Sequence, residues 1–106
     1  MKDKYNKLVR DKIPEIITTQ GDVPVIKVLD DTEYFQALNM KLQEEVEEYL
    51  SEFSSDEIAD ILEVLHAIIE YKGLSYNEVE QIRKKKYDER GGFSKKINLV
   101  EVERKK

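Results

Sequence analysis

Two apolar stripes with helical spacing, separated by a short turn, constrain the fold of this chain more than any other feature. In each stripe the apolar side chains recur every three or four residues, which is the period of an amphipathic α-helix. We therefore predict an antiparallel helix hairpin whose turn falls at Phe53, Ser54 and Ser55. The stripes comprise Phe35, Leu38, Leu42, Val46, Tyr49 and Phe53 before the turn, and Ile58, Ile61, Leu62, Leu65, Ile68 and Ile69 after it.

Four carboxylates border the predicted seam between these helices. Glu45 and Glu48 are three residues apart, as are Glu57 and Asp60, so each pair lies on one helix face, about 4.5 Å apart along the axis. Folding at the turn sets Glu48 level with Glu57 and Glu45 level with Asp60. Anions about 4 Å apart repel by about 4 kcal/mol in a partly buried setting, so such a cluster favours a bound cation. Oxygen ligands favour Mg²⁺ or Mn²⁺ over zinc, and we predict these four residues as metal ligands.

The same acidic residues have simpler interpretations, which the sequence leaves open. Glutamate is a strong helix former, and an acidic run on a helix is most often a solvated face. Ser54 and Glu57 also have the spacing of a capping box, in which Glu57 would serve the backbone at the start of the helix.

Capping residues predict the boundaries of the other helices. Ser, Asp or Asn before an apolar run, with Glu three residues later, is typical of a helix start, and glycine is typical of a helix end. The signals are Asp11 and Gly21 for a short first helix containing Pro14, Asp30 with Glu33 for a helix over 32–52, Gly73 for the end of a helix over 56–72, and Ser75 with Glu78 for a helix over 76–89.

Two β-branched segments interrupt the helical pattern. Residues 23–29 are compatible with a short strand, which Pro24 restricts to a sheet edge or a strand start, and residues 97–102 are a candidate partner. Whether the two segments pair is left open.

The helix over 56–72 is apolar over an arc too wide for one neighbour to cover, leaving mainly Glu63, His66 and Glu70 outward. A chain of 106 residues has few helices with which to enclose it, so we expect a homodimer or a larger homo-oligomer.

The length fits one domain spanning residues 1–106. The net charge of −5 disfavours nucleic-acid binding. With no cysteine and no membrane-length apolar run, we expect a soluble cytoplasmic protein with no membrane partner.

The acidic motif, reading Glu44, Glu45, Glu48 and then Glu57 and Asp60, resembles the signature of the all-α nucleotide pyrophosphohydrolases, the MazG-like and phosphoribosyl-ATP pyrophosphohydrolase-like proteins. The resemblance extends to YNKLVRDKIPEII at the start and ERGGFSKKINL near the end. It implies an all-α, MazG-like helical bundle built around the hairpin, with minor extended segments, completed by oligomerisation. It also implies Mg²⁺ as cofactor, with Mn²⁺ as a substitute, and Glu44 or Glu45 as general base.

Basic residues supply candidate contacts to substrate phosphates. The resemblance favours Lys7 and Arg10 near the start of the chain, where the alternative is ordinary surface charge. Spacing of three and four allows Arg83, Lys86 and Arg90 to share a helix face that could meet a triphosphate. The two glycines after Arg90 fit either a simple helix stop or a phosphate-binding loop.

The resulting expectation is a magnesium-dependent enzyme that hydrolyses nucleoside triphosphates to the monophosphate and pyrophosphate, with nucleotide-pool house-cleaning as one role. The nearer alternative is hydrolysis of phosphoribosyl-ATP in histidine synthesis, the same bond chemistry on a larger substrate. The alternative of another class is a non-catalytic helical module that assembles with itself or another protein.

Overall fold

The computed structural model describes residues 1–105, and its regular structure there is entirely helical. The chain divides into two compact units, Met1–Leu74 and Ser75–Lys106. The first unit contains α1, α2 and α3, and the second contains α4, so the all-α class is confirmed. The helices are α1 (Ile13–Thr19), α2 (Asp31–Glu52), α3 (Ser55–Tyr71) and α4 (Tyr76–Arg90).

Side-chain caps start the three longer helices where the sequence predicts them. Asp30 accepts a hydrogen bond from the Glu33 N–H (2.8 Å), and the Glu33 carboxylate accepts one from the Asp30 N–H (3.3 Å). Ser75 and Glu78 form the same capping box at α4. These reciprocal bonds satisfy backbone donors that the first helical turn leaves unpaired. The predicted boundaries of the three longer helices are therefore confirmed to within one residue.

The predicted cap of α1 is wrong. Lys12, not Asp11, precedes the helix, and it has helical torsion angles (φ −89°, ψ −4°) with no side-chain cap bond. The Ile13 N–H donates to the Arg10 carbonyl at 3.1 Å, so the chain enters α1 through a turn. An N-cap side chain needs an extended backbone to reach back to the helix, and this turn does not provide one.

Helices α2 and α3 form an antiparallel hairpin that contains the core of the first unit. Leu38 of α2 is 2% exposed and Val64 of α3 is 7% exposed, and they are the buried hydrophobic residues of the described chain. At the open end of the hairpin, the rings of Phe35 and Tyr71 stack at a centroid distance of 5.0 Å. Phe53 turns the chain between the helices in the left-handed conformation (φ 56°). The core therefore has few members: of the twelve residues in the two apolar stripes, Leu38 is buried, six are half-buried and five are exposed.

The hairpin has one apolar face and one acidic face. On α2 the exposed hydrophobic residues Val46 and Leu50, with Phe53 directly after the helix, follow a spacing of four and three, and on α3 Ile58, Leu62 and Leu65 do the same. At about 100° per residue both rows lie on the same side of the hairpin, and the acidic residues 44, 48, 60 and 63 lie on the other. No helix within residues 1–105 combines the length and the apolar character required to cross a membrane.

The β-branched segments do not form strands. Residues 23–29 and 97–102 have no regular secondary structure in the described chain, and Val25 and Val100 are 96% and 84% exposed. Strand propensity reflects packing on a pleated, half-buried surface, and neither segment has such a surface beside it. A contact from Lys27 Nζ to Glu33 Oε2 at 2.8 Å instead ties the first segment to the start of α2.

Candidate metal centre

Three of the four predicted ligands come together between α2 and α3. Glu45, Glu57 and Asp60 each offer a carboxylate oxygen, and these three oxygens lie within 4.8 Å of one another. The hairpin register explains this, because Glu45 precedes the turn by about two helical turns and the other two residues occupy the first turns of α3. The structure thus brings one carboxylate from α2 beside two from α3.

Two oxygens of this cluster are buried without a hydrogen-bond partner. Glu45 is 6% exposed, and neither its Oε2 nor the Oε2 of Glu57 has a partner among residues 1–105. Buried polar atoms in proteins are nearly always hydrogen-bonded, because an unpaired one loses its hydration without compensation. The unpaired atoms here are anionic acceptors, so the missing partner is a cation or a proton donor.

Glu57 belongs to the cluster because its capping box is only half formed. Its backbone N–H donates to the Ser54 hydroxyl at 3.4 Å, but within the described chain its carboxylate does not accept the reciprocal bond that α2 and α4 both have. Burial, together with the negative charges of Glu48 and Asp60, raises the pKa of Glu57. The ionised form of Glu57 is therefore less favoured than that of an ordinary glutamate, and nearby positive charge would favour it.

Glu48 lies at the edge of the cluster. It is exposed and is not one of the three residues whose oxygens converge. It does contact Glu57, where its charge and a side-chain hydrogen bond both favour the protonated form of that carboxyl. The ligand role predicted for Glu48 stays a prediction, with a position beside the centre rather than within it.

Basic side chains of the first unit reach the acidic face. Lys41 Nζ lies 3.3 Å from Glu45 Oε1, and Arg10 Nη2 lies 2.8 Å from Asp60 Oδ1. Two of the carboxylate groups are thus partly neutralised by the chain itself, which leaves Glu57 without a basic neighbour in these contacts.

Glu44 has both carboxylate oxygens engaged by lysines. Lys7 Nζ lies 3.1 Å from Oε1 and Lys41 Nζ lies 3.5 Å from Oε2. Burial alone would raise the pKa of Glu44, but the hydrogen bond from Lys7 and the charge of Lys41 outweigh it and lower the pKa. The same contact raises the pKa of Lys7. Lys41 also contacts Glu45, so a shared lysine links Glu44 to the cluster.

The other predicted phosphate contacts lie on α4, in the second unit. Arg83 donates from Nε to both oxygens of Glu80 and from Nη2 to Oε1, at 2.6 to 3.0 Å, so much of its donor capacity is used within the helix. Gly91 (φ 83°) ends the helix after Arg90, and its N–H donates to the Tyr87 carbonyl at 2.7 Å. The helix stop expected there is confirmed, and the phosphate contacts of Arg83, Lys86 and Arg90 stay predictions.

A cleft of about 350 Å³ within the first unit includes Glu45 and Asp60 of the acidic cluster in its lining. The sequence predicts Glu63, His66 and Glu70 as the outward face of α3 and does not assign them to a site, whereas all three line this cleft. A signal was available, since these residues continue the helix face of Asp60 at spacings of three and four. What the sequence does not reveal is that residues 8–11 cross this face and make it a cleft. The lining residues are Leu8, Val9, Arg10, Asp11, Tyr34, Leu38, Lys41, Glu45, Asp60, Glu63, Val64, His66, Ala67 and Glu70.

Comparison with known proteins gives one partial similarity. A stretch of 42 residues is 57% identical to an uncharacterized protein of Mycolicibacterium smegmatis, and this match covers 40% of the chain and 43% of that relative. No family model matches the chain, and no solved structure matches it.

Proposed function

We propose that this protein is a magnesium-dependent nucleoside triphosphate pyrophosphohydrolase of the MazG-like type. The observation that carries the proposal is the pair of buried, unpartnered carboxylate oxygens on Glu45 and Glu57, inside a cluster completed by Asp60. The motif resemblance supplies the substrate class.

The donor set fits a hard divalent ion. All three converging groups are carboxylates, and the described chain contains no cysteine thiolate to favour a softer metal. Glu45, Glu57 and Asp60 would hold the ion, with Glu48 next to them. When bound, Mg²⁺ supplies positive charge that orients the phosphates and offsets their negative charge.

The chain offers two candidate general bases, and Glu45 suits the role better than Glu44. Both oxygens of Glu44 face lysine ammonium groups, which weaken its affinity for a proton. Glu45 keeps one oxygen, Oε2, without a hydrogen-bond partner in the described chain. A base must have an oxygen free to accept the proton of the attacking water, and Glu45 would meet that condition if Glu57 and Asp60 held the ion.

Lys7 and Arg10 are the phosphate contacts that the geometry supports best. Both reach the acidic face, Lys7 through Glu44 and Arg10 through Asp60. The planar guanidinium of Arg10 suits phosphate oxygens, because it offers paired donors in a fixed geometry. A bound triphosphate would give both side chains a further anionic partner close to their present ones.

In the proposed reaction, water attacks the α-phosphorus of the nucleotide. A new P–O bond forms, the bond between the α-phosphorus and the α,β-bridging oxygen breaks, and the base takes a proton from the water. Pyrophosphate leaves with the bridging oxygen, and the nucleoside monophosphate remains. Phosphoribosyl-ATP would react in the same way, so the chemistry alone does not choose between the two substrates.

A substrate panel with matched variants tests the proposal. The full chain is incubated with the common nucleoside triphosphates and with phosphoribosyl-ATP, with Mg²⁺ or Mn²⁺, and pyrophosphate and monophosphate are both quantified. We expect Asp60→Asn to lower kcat/KM by about 100-fold or more, as loss of a transition-state charge contact does. Asp56→Asn, an exposed carboxylate in the first turn of α3, is the control and should keep activity. Absence of pyrophosphate release from every substrate with both ions would refute the proposal, and activity on phosphoribosyl-ATP alone would shift it to that substrate.

We also infer self-association through the apolar face of the hairpin. The two exposed rows described above form one apolar surface: Val46 and Leu50 on α2 with Phe53 after it, and Ile58, Leu62 and Leu65 on α3. A second copy presents the same surface, so a two-fold interface would bury both at once. The acidic face lies on the opposite side and would stay open to substrate. Self-association is therefore compatible with catalysis as well as with the non-catalytic alternative.

A further inference from the structure

The cleft beside the metal centre continues directly from two of its carboxylates. Glu45 and Asp60 belong both to the cleft wall and to the cluster. A substrate whose phosphates are held at the cluster would therefore place the group attached to those phosphates at or within the cleft. The volume of about 350 Å³ is in the lower part of the range of small-molecule sites, about 300 to 1,000 Å³.

The inner wall of the cleft is apolar. Leu38 and Val64, the two buried hydrophobic residues of the described chain, line it together with Ala67, and Tyr34 adds an aromatic ring. A planar ring system loses little by leaving water for such a wall, because its faces carry no hydrogen-bond donors or acceptors. The wall thus suits a nucleobase better than a sugar or a charged group.

The rim of the cleft is rich in hydrogen-bond acceptors. Beyond Glu45 and Asp60 it carries the carboxylates of Asp11, Glu63 and Glu70. Its two constitutive cations, Arg10 and Lys41, already contact carboxylates. Burial and the negative charges of Glu70 and Asp11 raise the pKa of Tyr34, so both carboxylates act on the part of the cleft that Tyr34 lines.

We propose that this cleft receives the base of the nucleotide and selects cytosine and adenine, which carry an exocyclic amino group, over uracil and hypoxanthine, which carry a carbonyl group at the same ring position. The inference rests on the proposed function. An amino group donates hydrogen bonds to carboxylates. A carbonyl in the same place brings two acceptors together with no proton between them, and both lose hydration.

Two matched pairs of nucleotides isolate this difference. CTP carries an amino group at the ring position where UTP carries a carbonyl group. ATP and ITP differ in the same way, with the amino group on ATP. We expect kcat/KM to be at least about 10-fold higher for the nucleotide with the amino group in each pair. Sites built to hydrogen-bond their substrate can discriminate by more than this. Glu70→Gln keeps the shape but replaces a charged acceptor with a neutral group that also donates, so it should reduce both ratios.

The control is Glu52→Gln, which alters an exposed carboxylate at the end of α2 outside the cleft. It should leave both ratios unchanged, and circular dichroism melting of each variant checks that the helices form. A second measurement uses CMP and UMP as ligands in calorimetry with Mg²⁺ present. We expect tighter binding of CMP, by a factor that falls in Glu70→Gln.

The failures of the two proposals are distinguishable. Hydrolysis of CTP and UTP at equal kcat/KM would overturn the base preference and leave the pyrophosphohydrolase assignment intact. Absence of hydrolysis of these four triphosphates and of the other substrates in the panel would overturn that assignment. The CMP and UMP measurement would then test the base preference of the cleft by itself. Equal affinity for CMP and UMP, or no binding of either, would overturn that preference as well.

Discussion

Arg10 donates a hydrogen bond from Nη2 to Oδ1 of Asp60 across 2.8 Å, and the two residues are 50 positions apart in the sequence. The same guanidinium lies 3.8 Å from Glu63. This contact joins the segment before α1 to the acidic face of α3, and it places a cation of the chain on one of the three clustered carboxylates. A divalent ion that binds Asp60 has to compete with Arg10 or share the carboxylate with it.

We therefore expect Arg10→Gln to bind Mn²⁺ more tightly than the unaltered protein. The variant removes both the competing contact and one positive charge near the site. Exposed ion pairs contribute about 0 to 1 kcal/mol, so the gain should be a factor of about 2 to 5 in Kd. Isothermal calorimetry at low and at high salt measures it, and the gain should shrink as salt screens the charge.

Lys12→Gln is the matched control for Arg10→Gln. Lys12 is an exposed cation two residues after Arg10. Within residues 1–105, the ion pairs to the cluster come from Arg10 and Lys41 and not from Lys12. It should change the Kd for Mn²⁺ by less than Arg10→Gln does. Weaker Mn²⁺ binding by Arg10→Gln would show that Arg10 supports the metal site rather than competing for it.

Glu57→Gln should have opposite effects on the metal-free and metal-loaded proteins. The pKa of Glu57 is raised by burial and neighbouring carboxylates, so its stabilising contribution is full at low pH and is lost as the pH rises through the folded-state pKa. Above that pKa, replacing the charged group should raise the Tm of the metal-free protein. With Mg²⁺ at ten times its Kd, the unaltered protein should gain about 1.4 kcal/mol, a shift of several degrees in Tm, and the variant should gain much less.

Differential scanning calorimetry with and without Mg²⁺ measures both effects. Ca²⁺, a larger divalent ion that also binds oxygen ligands, is measured in the same way. Glu52→Gln should leave the metal-free Tm and the Mg²⁺ response close to those of the unaltered protein, because Glu52 is exposed and lies outside the cluster. An equal Mg²⁺ response in Glu57→Gln and the unaltered protein would remove Glu57 from the metal site.

The sequence predicts the parts of this fold that depend on local physics. Asp30, Ser54 and Ser75 start helices because their side chains satisfy backbone donors nearby in the chain. The approach of Glu45 to Glu57 and Asp60 follows from two helical periods and the position of one turn. Both predictions need only the regular geometry of a helix.

The features that the sequence did not predict depend on distant parts of the chain. Glu63 and Glu70 become cleft residues only because residues 8–11 cross their helix face, and that crossing is fixed by contacts such as Arg10 to Asp60. The β-branched residues of 23–29 form no strand in the described chain, because strand formation requires a partner that local composition cannot specify. The all-α fold was accessible from the sequence, whereas the shape of the cleft was not.

The pH dependence of the α2 cap can be measured separately from the metal site. The hydrogen bond from Lys27 and the bond from the Asp30 N–H lower the pKa of Glu33. A lowered folded-state pKa means stabilisation that is present above the ordinary carboxyl value and is lost as the pH falls through the folded-state value. Carbon-13 NMR titration of the side-chain carboxyls should find Glu33 below the exposed glutamates. In Lys27→Met the pKa should rise part of the way back, because the backbone bond remains, and no rise would mean that the Lys27 contact is not formed in solution.

Leu38 and Leu50 lie on α2 but should respond differently to truncation. Leu38 is buried between the helices, and Leu50 is exposed on the apolar face of the hairpin. Leu38→Ala should lower the free energy of unfolding by about 2 to 5 kcal/mol, the usual cost of a core cavity. Urea unfolding at low protein concentration measures this, and Leu50→Ala should change the same quantity much less.

Leu50→Glu should instead weaken self-association. A charge placed at the centre of the apolar face loses hydration without a partner when two copies meet, so we expect the dimer Kd from sedimentation equilibrium to rise at least about 10-fold. Val28→Glu is the matched control, because Val28 is also an exposed hydrophobic residue but lies outside the hairpin, and its dimer Kd should be unchanged. If Leu50→Glu and the unaltered chain had the same dimer Kd, or if the unaltered chain were monomeric at all concentrations, the apolar face would not be a self-association surface. If both variants weakened association equally, the interface would extend beyond the hairpin to residues 22–30.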